Sequence, residues 1–165
     1  MSVMSIDKDY DNLTITLVAD FEAPIDQVWD LWADPRKLER WWGPPTYPAT
    51  FEKHDLTAGG EASYYMTGPE GDTPRGWWLI TSVERPRTLE FSDGFADQDG
   101  NRKDDMPVMT VRVTLREHDG GTRMEIRSKF ESREDMERLV DMGAVEGLQE
   151  AVGQMDGLLV RSAGS

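Results

Sequence analysis

The chain has 165 residues, of which 38% are hydrophobic, a formal net charge of −14 and no cysteine. A chain of this length can bury about 70% of its unfolded surface, which is enough for one core and a cavity. The lack of cysteine excludes disulfides, thiolate nucleophiles and cysteine-ligated metals. The negative charge argues against nucleic acids and anionic membranes as partners, because like charges repel over a Debye length of about 10 Å.

The sequence also lacks the marks of export or membrane insertion. No apolar run approaches the roughly 18 residues of a membrane span, and the opening MSVMSIDKDYDN has no apolar signal core. We therefore expect a cytoplasmic protein that does not bind membranes. Without repeats or long linkers, we expect a flexible N-terminus over residues 1–10 and a single domain over residues 11–162.

The first predicted elements are a strand and a helix. Alternation of apolar and polar residues predicts a strand with one buried face, formed by Leu13, Ile15 and Leu17. Pro24 suits the start of a helix, because the first turn tolerates a missing amide proton. Apolar residues then follow at helical spacing and predict one buried face. These residues are Val28, Leu31 and Trp32, with Trp29 in the same packed stripe.

A second short helix is predicted after Asp34-Pro35. Asp is a good N-cap, and Pro presets the dihedral angle of the first turn. Trp41-Trp42 then face inward, and Gly43-Pro44-Pro45 ends the helix because this tripeptide cannot continue it.

The stretch FEAPIDQVWDLWADPRKLERWWGPP resembles the N-terminal signature of the activator-of-heat-shock-protein-90-ATPase homologue family, within the START-like (SRPBCC) superfamily. Further landmarks occur in family order, and the resemblance covers roughly residues 12–160. They are Gly59-Gly60, the run 83–91, Gly120-Gly121-Thr122 and Met142-Gly143 with Leu148. The resemblance implies a fold rather than an activity, since superfamily members range from ligand carriers and cyclases to co-chaperone domains.

The later elements are strands followed by a helix. Alternation and turn residues predict strands at 47–53, 62–66, 76–84, 88–95, 109–116 and 123–130. From Ser132 to Val160, helical periodicity predicts one long helix, although four interior glycines weaken it by about 1 kcal/mol each. The expected fold class is α+β. The resemblance implies a helix-grip fold, with a curved antiparallel sheet of about seven strands around the terminal helix and two short helices after the first strand.

Candidate chemistry is sparse. His54 and His118 lack partners at metal-binding spacing and are expected to be exposed. The loop residues Asp97, Asp99 and Asn101 superficially resemble a calcium loop, but the closing glutamate is missing. No nucleophile, phosphate loop or dinucleotide motif is present, so the sequence predicts no catalytic residue, no metal site and no cofactor.

Aromatic and methionine residues, with a few small or polar ones, are the strongest candidates for a ligand site. They lie on elements that should converge on one interior, although filling of the core is the alternative interpretation for each. Two glycines one helical turn apart would leave space beside the terminal helix, unless they serve close packing. The predicted ligand-binding residues are Trp41, Trp42, Tyr64, Met66, Trp77, Phe91, Met109, Val111, Ser128, Gly143, Gly147 and Met155.

Trp77 and Trp78 are adjacent in a strand and must point to opposite faces. Val83 shares parity with Trp77 and is expected to be buried, so Trp77 is predicted inward and Trp78 outward. A bulge between them and Val83 would reverse this assignment. An outward tryptophan would favour homodimerisation through the sheet or the helix pair.

Three functions fit the sequence. The leading one is binding of a hydrophobic small molecule in a cavity between sheet and helix. The second is a cyclase- or aromatase-like enzyme, for which the sequence offers no convincing acid or base. The third is a co-chaperone-like activator of an ATPase, which the family resemblance implies.

Overall fold

A computed structural model describes residues 3–159. Eight strands form one curved antiparallel sheet in the order β1-β2-β8-β7-β6-β5-β4-β3. The strands are β1 (Val3–Asp9), β2 (Thr14–Phe21), β3 (Ala49–His54), β4 (Glu61–Met66), β5 (Arg75–Glu84), β6 (Thr88–Ala96), β7 (Met109–His118) and β8 (Gly121–Lys129). The helices are α1 (Ile25–Ala33), α2 (Pro35–Leu38), α3 (Arg133–Asp141) and α4 (Ala144–Gly153), followed by a 3₁₀ turn (Asp156–Leu158). The α+β, START-like fold class is confirmed.

The eighth strand comes from the N-terminus, where the sequence analysis expected a flexible segment. Residues 3–9 instead pair with β2, from Val3 opposite Asp20 to Asp9 opposite Thr14. Met4 and Ile6 pack against the core and alternate with polar neighbours. This alternation gives the strand one apolar face to bury, which explains why it joins the sheet. Residues 1–2 of the predicted flexible segment lie outside the described range.

The helix pair forms as predicted. The Asp34 side chain accepts a hydrogen bond from the Arg36 amide at 2.9 Å, and Pro35 occupies the first position of α2. The Trp41 indole donates to the Leu31 carbonyl at 2.8 Å, so a buried hydrogen bond joins the segment after α2 to α1. This bond fixes where the tryptophan pair meets the sheet.

The core lies on one face of the sheet, because inward side chains alternate with outward ones along each strand. Trp78 occupies its centre and is fully buried. Its ring stacks on Phe91 with centroids 4.1 Å apart and meets Trp42 edge-on at 5.0 Å. Trp29, predicted to be structural, is also in this core and only 2% exposed.

The predicted orientation of the tryptophan pair is wrong. Trp78 points inward, and Trp77 lies on the outer face, where its indole donates to the Phe95 carbonyl at 3.0 Å. The Arg102 guanidinium covers the Trp77 ring at 3.9 Å. Trp78 is therefore not an exposed interface residue; the outward tryptophan is Trp77, and Arg102 covers its ring.

A bulge in β5 is the physical reason. Ile80 pairs with Phe91 but Ser82 pairs with Glu90, so the register shifts by one residue at Thr81. The extra residue inverts the parity of the strand. Val83 then shares the inward face with Trp78, and it packs against the same core.

The C-terminal helix is present but is not continuous. It breaks at Gly143, which has φ +92° and precedes the first residue of α4. Glycine adopts this left-handed conformation without the Cβ penalty of other residues. The predicted end at Val160 and the domain limit at residue 162 lie outside the described range. Among residues 3–159, no helix has the length and apolarity needed to cross a membrane.

We predict that the two adjacent tryptophans contribute very differently to stability. Trp78→Ala should lower the free energy of unfolding by about 3 to 5 kcal/mol, because it removes a large, fully buried side chain. Trp77→Ala, the matched control, should cost about 1 kcal/mol, since its ring is half-exposed. Urea titrations followed by circular dichroism measure both values. Equal losses would contradict the orientation.

Candidate functional site: a cavity between the sheet and α4

A cavity of about 200 Å³ lies between the inward face of the sheet and α4. Its walls are almost entirely apolar. The sheet contributes Ile15, Met66, Asp93, Met109, Val111, Ile126 and Ser128, with Phe130 just after β8. The helix contributes Ala144, Gly147, Leu148 and Ala151, and the segment after α2 closes one end with Trp42, Gly43 and Pro44.

Small residues on α4 keep this space open. A Cβ atom built on Gly147 would have no neighbouring atom within 4 Å, so this glycine faces empty space rather than a close contact. Ala144 and Ala151, which flank it along the helix, are also small. The interpretation that Gly147 serves close packing of helix on sheet is therefore wrong.

The far end of α4 is attached to the helix pair. Gln154, which caps α4, donates hydrogen bonds from its side-chain amide to the Trp41 carbonyl at 3.2 Å and the Gly43 carbonyl at 2.8 Å. These two carbonyls belong to a segment that is not helical, and Gln154 gives them the hydrogen-bond partners that a helix would otherwise provide. This attachment holds α4 over the same end of the cavity that Trp42 closes.

Half of the predicted ligand-binding residues line the cavity. They are Trp42, Met66, Met109, Val111, Ser128 and Gly147. They share the cavity because alternate residues of β4, β7 and β8 face inward at neighbouring register positions, such as Val111 opposite Ser128.

The other six lie elsewhere. Four of them, Trp41, Tyr64, Phe91 and Met155, are buried in the core, and the three aromatic rings pack against other rings there. Trp77 is on the outer face because of the bulge, and Gly143 is at the helix break rather than on the cavity wall. Large apolar residues that point to the inward face of the sheet were thus predicted to bind the ligand, but they fill the core beside the cavity.

Sequence reasoning missed Asp93, the one carboxylate among the described cavity-lining residues. Its signal was available: Asp93 has the same parity in β6 as Leu89 and Phe91, which are buried. The register places it opposite Trp78 on one side and Met109 on the other. Only 8% of Asp93 is exposed, so a carboxyl group lies in an otherwise apolar cavity.

Burial raises the pKa of Asp93 to about 7, because the charged carboxylate loses its hydration in this environment. The Tyr64 hydroxyl acts in the opposite direction by donating a long hydrogen bond, 3.3 Å, to Oδ1 of Asp93. Tyr64 reaches this position because its ring lies directly over Gly76, where no side chain obstructs it. Burial, and then the nearby Asp93 charge, raise the pKa of Tyr64 well above its usual value.

Further polar groups around the carboxyl are incompletely paired. The indole N–H groups of Trp42 and Trp78 lie near the Tyr64 hydroxyl and favour its ionised form, but neither makes a well-formed hydrogen bond in the described structure. The Ser128 hydroxyl also lines the cavity, on β8, which β7 separates from the strand that carries Asp93. Buried polar groups normally find partners, so the cavity suits a ligand with a polar group.

The histidines and the calcium-like loop lie away from the cavity. His54 is half-buried rather than exposed: its Nε2 is 3.1 Å from the Trp32 carbonyl oxygen, and burial lowers its pKa. Oδ1 of Asp97 accepts hydrogen bonds at 2.9 Å from the amides of Asp99 and Asn101, so that carboxylate stabilises its own turn. In the described range, no three acidic or histidine side chains are grouped as metal ligands.

Solved structures share this architecture. The chain is 51% identical to a protein from Arthrobacter aurescens, with TM-score 0.91 and coverage of 96% of this chain and 92% of the other. It is 46% identical to Ms6760 from Mycobacterium smegmatis, with TM-score 0.88 and coverage of 96% and 97%. A protein from Staphylococcus epidermidis has 26% identity, TM-score 0.81 and coverage of 94% and 93%. Comparison with curated proteins gave no match.

The fold and its cavity define a START-like protein. The model of the family described as "Activator of Hsp90 ATPase homolog 1-like protein" matches residues 22–160, and the chain belongs to this family. The resemblance found in the sequence is thereby confirmed. The wider group includes ligand-binding and polyketide cyclase-like members.

We predict that Asp93 makes stability depend on pH. Its pKa is higher in the folded protein than the usual 3.8, so its contribution to stability is complete below about pH 4 and is lost as pH rises to about 7. Asp93→Asn, which stays neutral, should gain stability relative to the parent across this interval. The gain should reach a few kcal/mol, at about 1.4 kcal/mol per pKa unit.

Urea titrations of both proteins at several pH values measure this difference, and carboxyl NMR titration gives the pKa directly. Asp26→Asn, on the exposed start of α1, is the matched control, and its free energy of unfolding relative to the parent should not increase over this pH interval. A pKa of Asp93 near 4 would contradict the prediction.

Proposed function

We propose that this protein binds a hydrophobic small molecule in the cavity between the curved sheet and α4. The observation that carries the proposal is an apolar cavity of about 200 Å³ whose helical wall has open space at Gly147. Apolar walls with few polar groups are typical of small-molecule sites. We assign this function to a single ligand-cavity domain, predicted over residues 11–162, to which β1 also contributes.

The volume limits the size of the ligand. Engineered apolar cavities of about 150 Å³ bind benzene, so a cavity of this size suits a single ring with a short substituent. Methionine side chains in the wall adapt to different shapes because they are flexible and polarisable. Met66 and Met109 occupy such positions on the sheet side. Ethylbenzene is therefore a suitable apolar probe.

Substitution of Gly147 tests this function. Gly147→Leu should place its side chain in the cavity and weaken ethylbenzene binding at least tenfold while the fold is retained. Gly147→Ala, the matched control, should leave binding unchanged and raise the free energy of unfolding by up to about 1 kcal/mol, since alanine favours the helix. Binding is followed by the NMR signals of the Met66 and Met109 methyl groups, and stability by thermal unfolding.

Two results would contradict the proposal. One is an absence of binding to the parent protein at the solubility limit of the probe. The other is equal binding by the parent and the leucine variant, which would place the probe elsewhere.

A second function, cyclase-like catalysis, is favoured by Asp93. A carboxyl group with a pKa of about 7 that faces a cavity has the properties of a general acid or base at neutral pH. The Tyr64 hydroxyl would hold Oδ1 and leave Oδ2 for the substrate. Such an enzyme would remove a proton from carbon next to a substrate carbonyl, giving an enolate that then attacks a second carbonyl.

Proton exchange isolates the first step of that reaction. If Asp93 acts as a base, the protein should accelerate exchange of the α-hydrogens of phenylacetone for deuterium in heavy water, and Asp93→Asn should abolish the acceleration. Proton NMR follows the loss of signal. Asp26→Asn should retain the parent rate. Exchange at the buffer rate with the parent protein would exclude this function for Asp93.

A further inference from the structure

The charge distribution around the cavity is one-sided. Asp93 is the single ionisable residue among the described cavity-lining residues, and no lysine, arginine or histidine lies among them. Basic side chains of the neighbouring strands are engaged on the outer face. Arg112 pairs with Glu90 at 3.4 Å, and Arg75 pairs with Glu52 at 2.6 Å. The carboxyl group therefore faces the cavity without a cation to neutralise it.

The hydrogen-bonding capacity of Asp93 is also incompletely used. Tyr64 donates one long bond, to Oδ1, and no other described side chain donates to this carboxyl. A carboxylate accepts bonds at both oxygens. Asp93 lines the cavity, so the unused capacity is available to a molecule inside it. The Ser128 hydroxyl also lines the cavity, on β8, which β7 separates from β6, and it can hydrogen-bond in either direction.

These features discriminate between head groups. A ligand hydroxyl or ammonium group would donate to Asp93 and compensate for the lost hydration of the carboxylate. A ligand carboxylate would place two like charges together in an apolar environment, so one of the two groups would have to take up a proton. A ligand without a polar group would leave the carboxyl unpaired.

We propose that the cavity selects apolar molecules that carry a hydrogen-bond donor, an alcohol or an amine, and rejects carboxylates, with Asp93 as the acceptor. This inference rests on the proposed binding function and adds the class of ligand. It makes Asp93 a specificity-determining residue rather than a general part of the apolar wall. The donor group of the ligand would face Asp93, so this residue would also set the orientation of the bound ligand.

A matched series of probes tests the selectivity without any mutation. Phenethylamine, phenethyl alcohol, ethylbenzene and phenylacetate share one ring and a short chain but differ in head group. At about one pH unit above the Asp93 pKa of about 7, the amine and the alcohol should bind at least about tenfold more tightly than ethylbenzene. Phenylacetate should bind at least about tenfold more weakly than ethylbenzene. Isothermal titration calorimetry measures the Kd values.

Asp93→Asn then tests the acceptor. This variant keeps the shape of the side chain but removes the charge. Phenylacetate should therefore bind more tightly and the amine more weakly than they bind the parent. The Kd values of the four probes should then lie within about threefold of one another. Asp26→Asn should keep the parent order. Circular dichroism confirms that each variant is folded, and the probe series on the parent protein stands as a test even if a variant is not.

The outcomes separate the two proposals. If ethylbenzene binds the parent and not Gly147→Leu, yet phenylacetate binds as tightly as the alcohol and the amine, the selectivity is wrong and the binding function stands. The same conclusion follows if Asp93→Asn keeps the parent order of affinities. If none of the probes binds the parent, both proposals fail.

Discussion

The rest of the structure depends on the packing of Trp78 at the centre of the concave sheet face. Its ring stacks on Phe91 at 4.1 Å and meets Trp42 at 5.0 Å, so strands β5 and β6 and the end of the helix pair are joined through one side chain. The aromatic cluster fills one part of the concave face completely. The cavity lies beside it, where β6, β7 and β8 carry smaller or more flexible residues.

Asp93 is the departure from this apolar pattern. Burying a carboxyl group is costly unless it is paired or neutral, and the only pairing described for Asp93 is one long bond from Tyr64. Burial raises the pKa of Asp93 to about 7, so proton uptake, which removes the charge, is easier than for an exposed carboxyl. Proteins retain polar residues at core positions chiefly where function requires them. The proposed ligand selectivity and the alternative proton-transfer function both rest on this residue.

The C-terminal helices show how glycines serve different purposes in one segment. Gly143 has a positive φ and separates α3 from α4, which frees α4 to lie over the cavity. Gly147 has ordinary helical geometry and open space in front of it. Gln154 then anchors the end of α4 to the carbonyls of Trp41 and Gly43. The helix is thus anchored at its C-terminal end, while open space remains in front of its middle at Gly147.

The sequence by itself determined the family, the order of the elements after Leu13, and which residues alternate, because periodicity and capping are local properties. Six of the ligand-binding residues predicted from it line the cavity. Tertiary structure decided the rest. The bulge at Thr81 exchanged the faces of Trp77 and Trp78, a strand at residues 3–9 formed only through pairing with β2, and Asp93 gained its perturbed pKa only through burial. These outcomes depend on contacts between segments distant in sequence, and a register shift of one residue suffices to reverse a whole strand face.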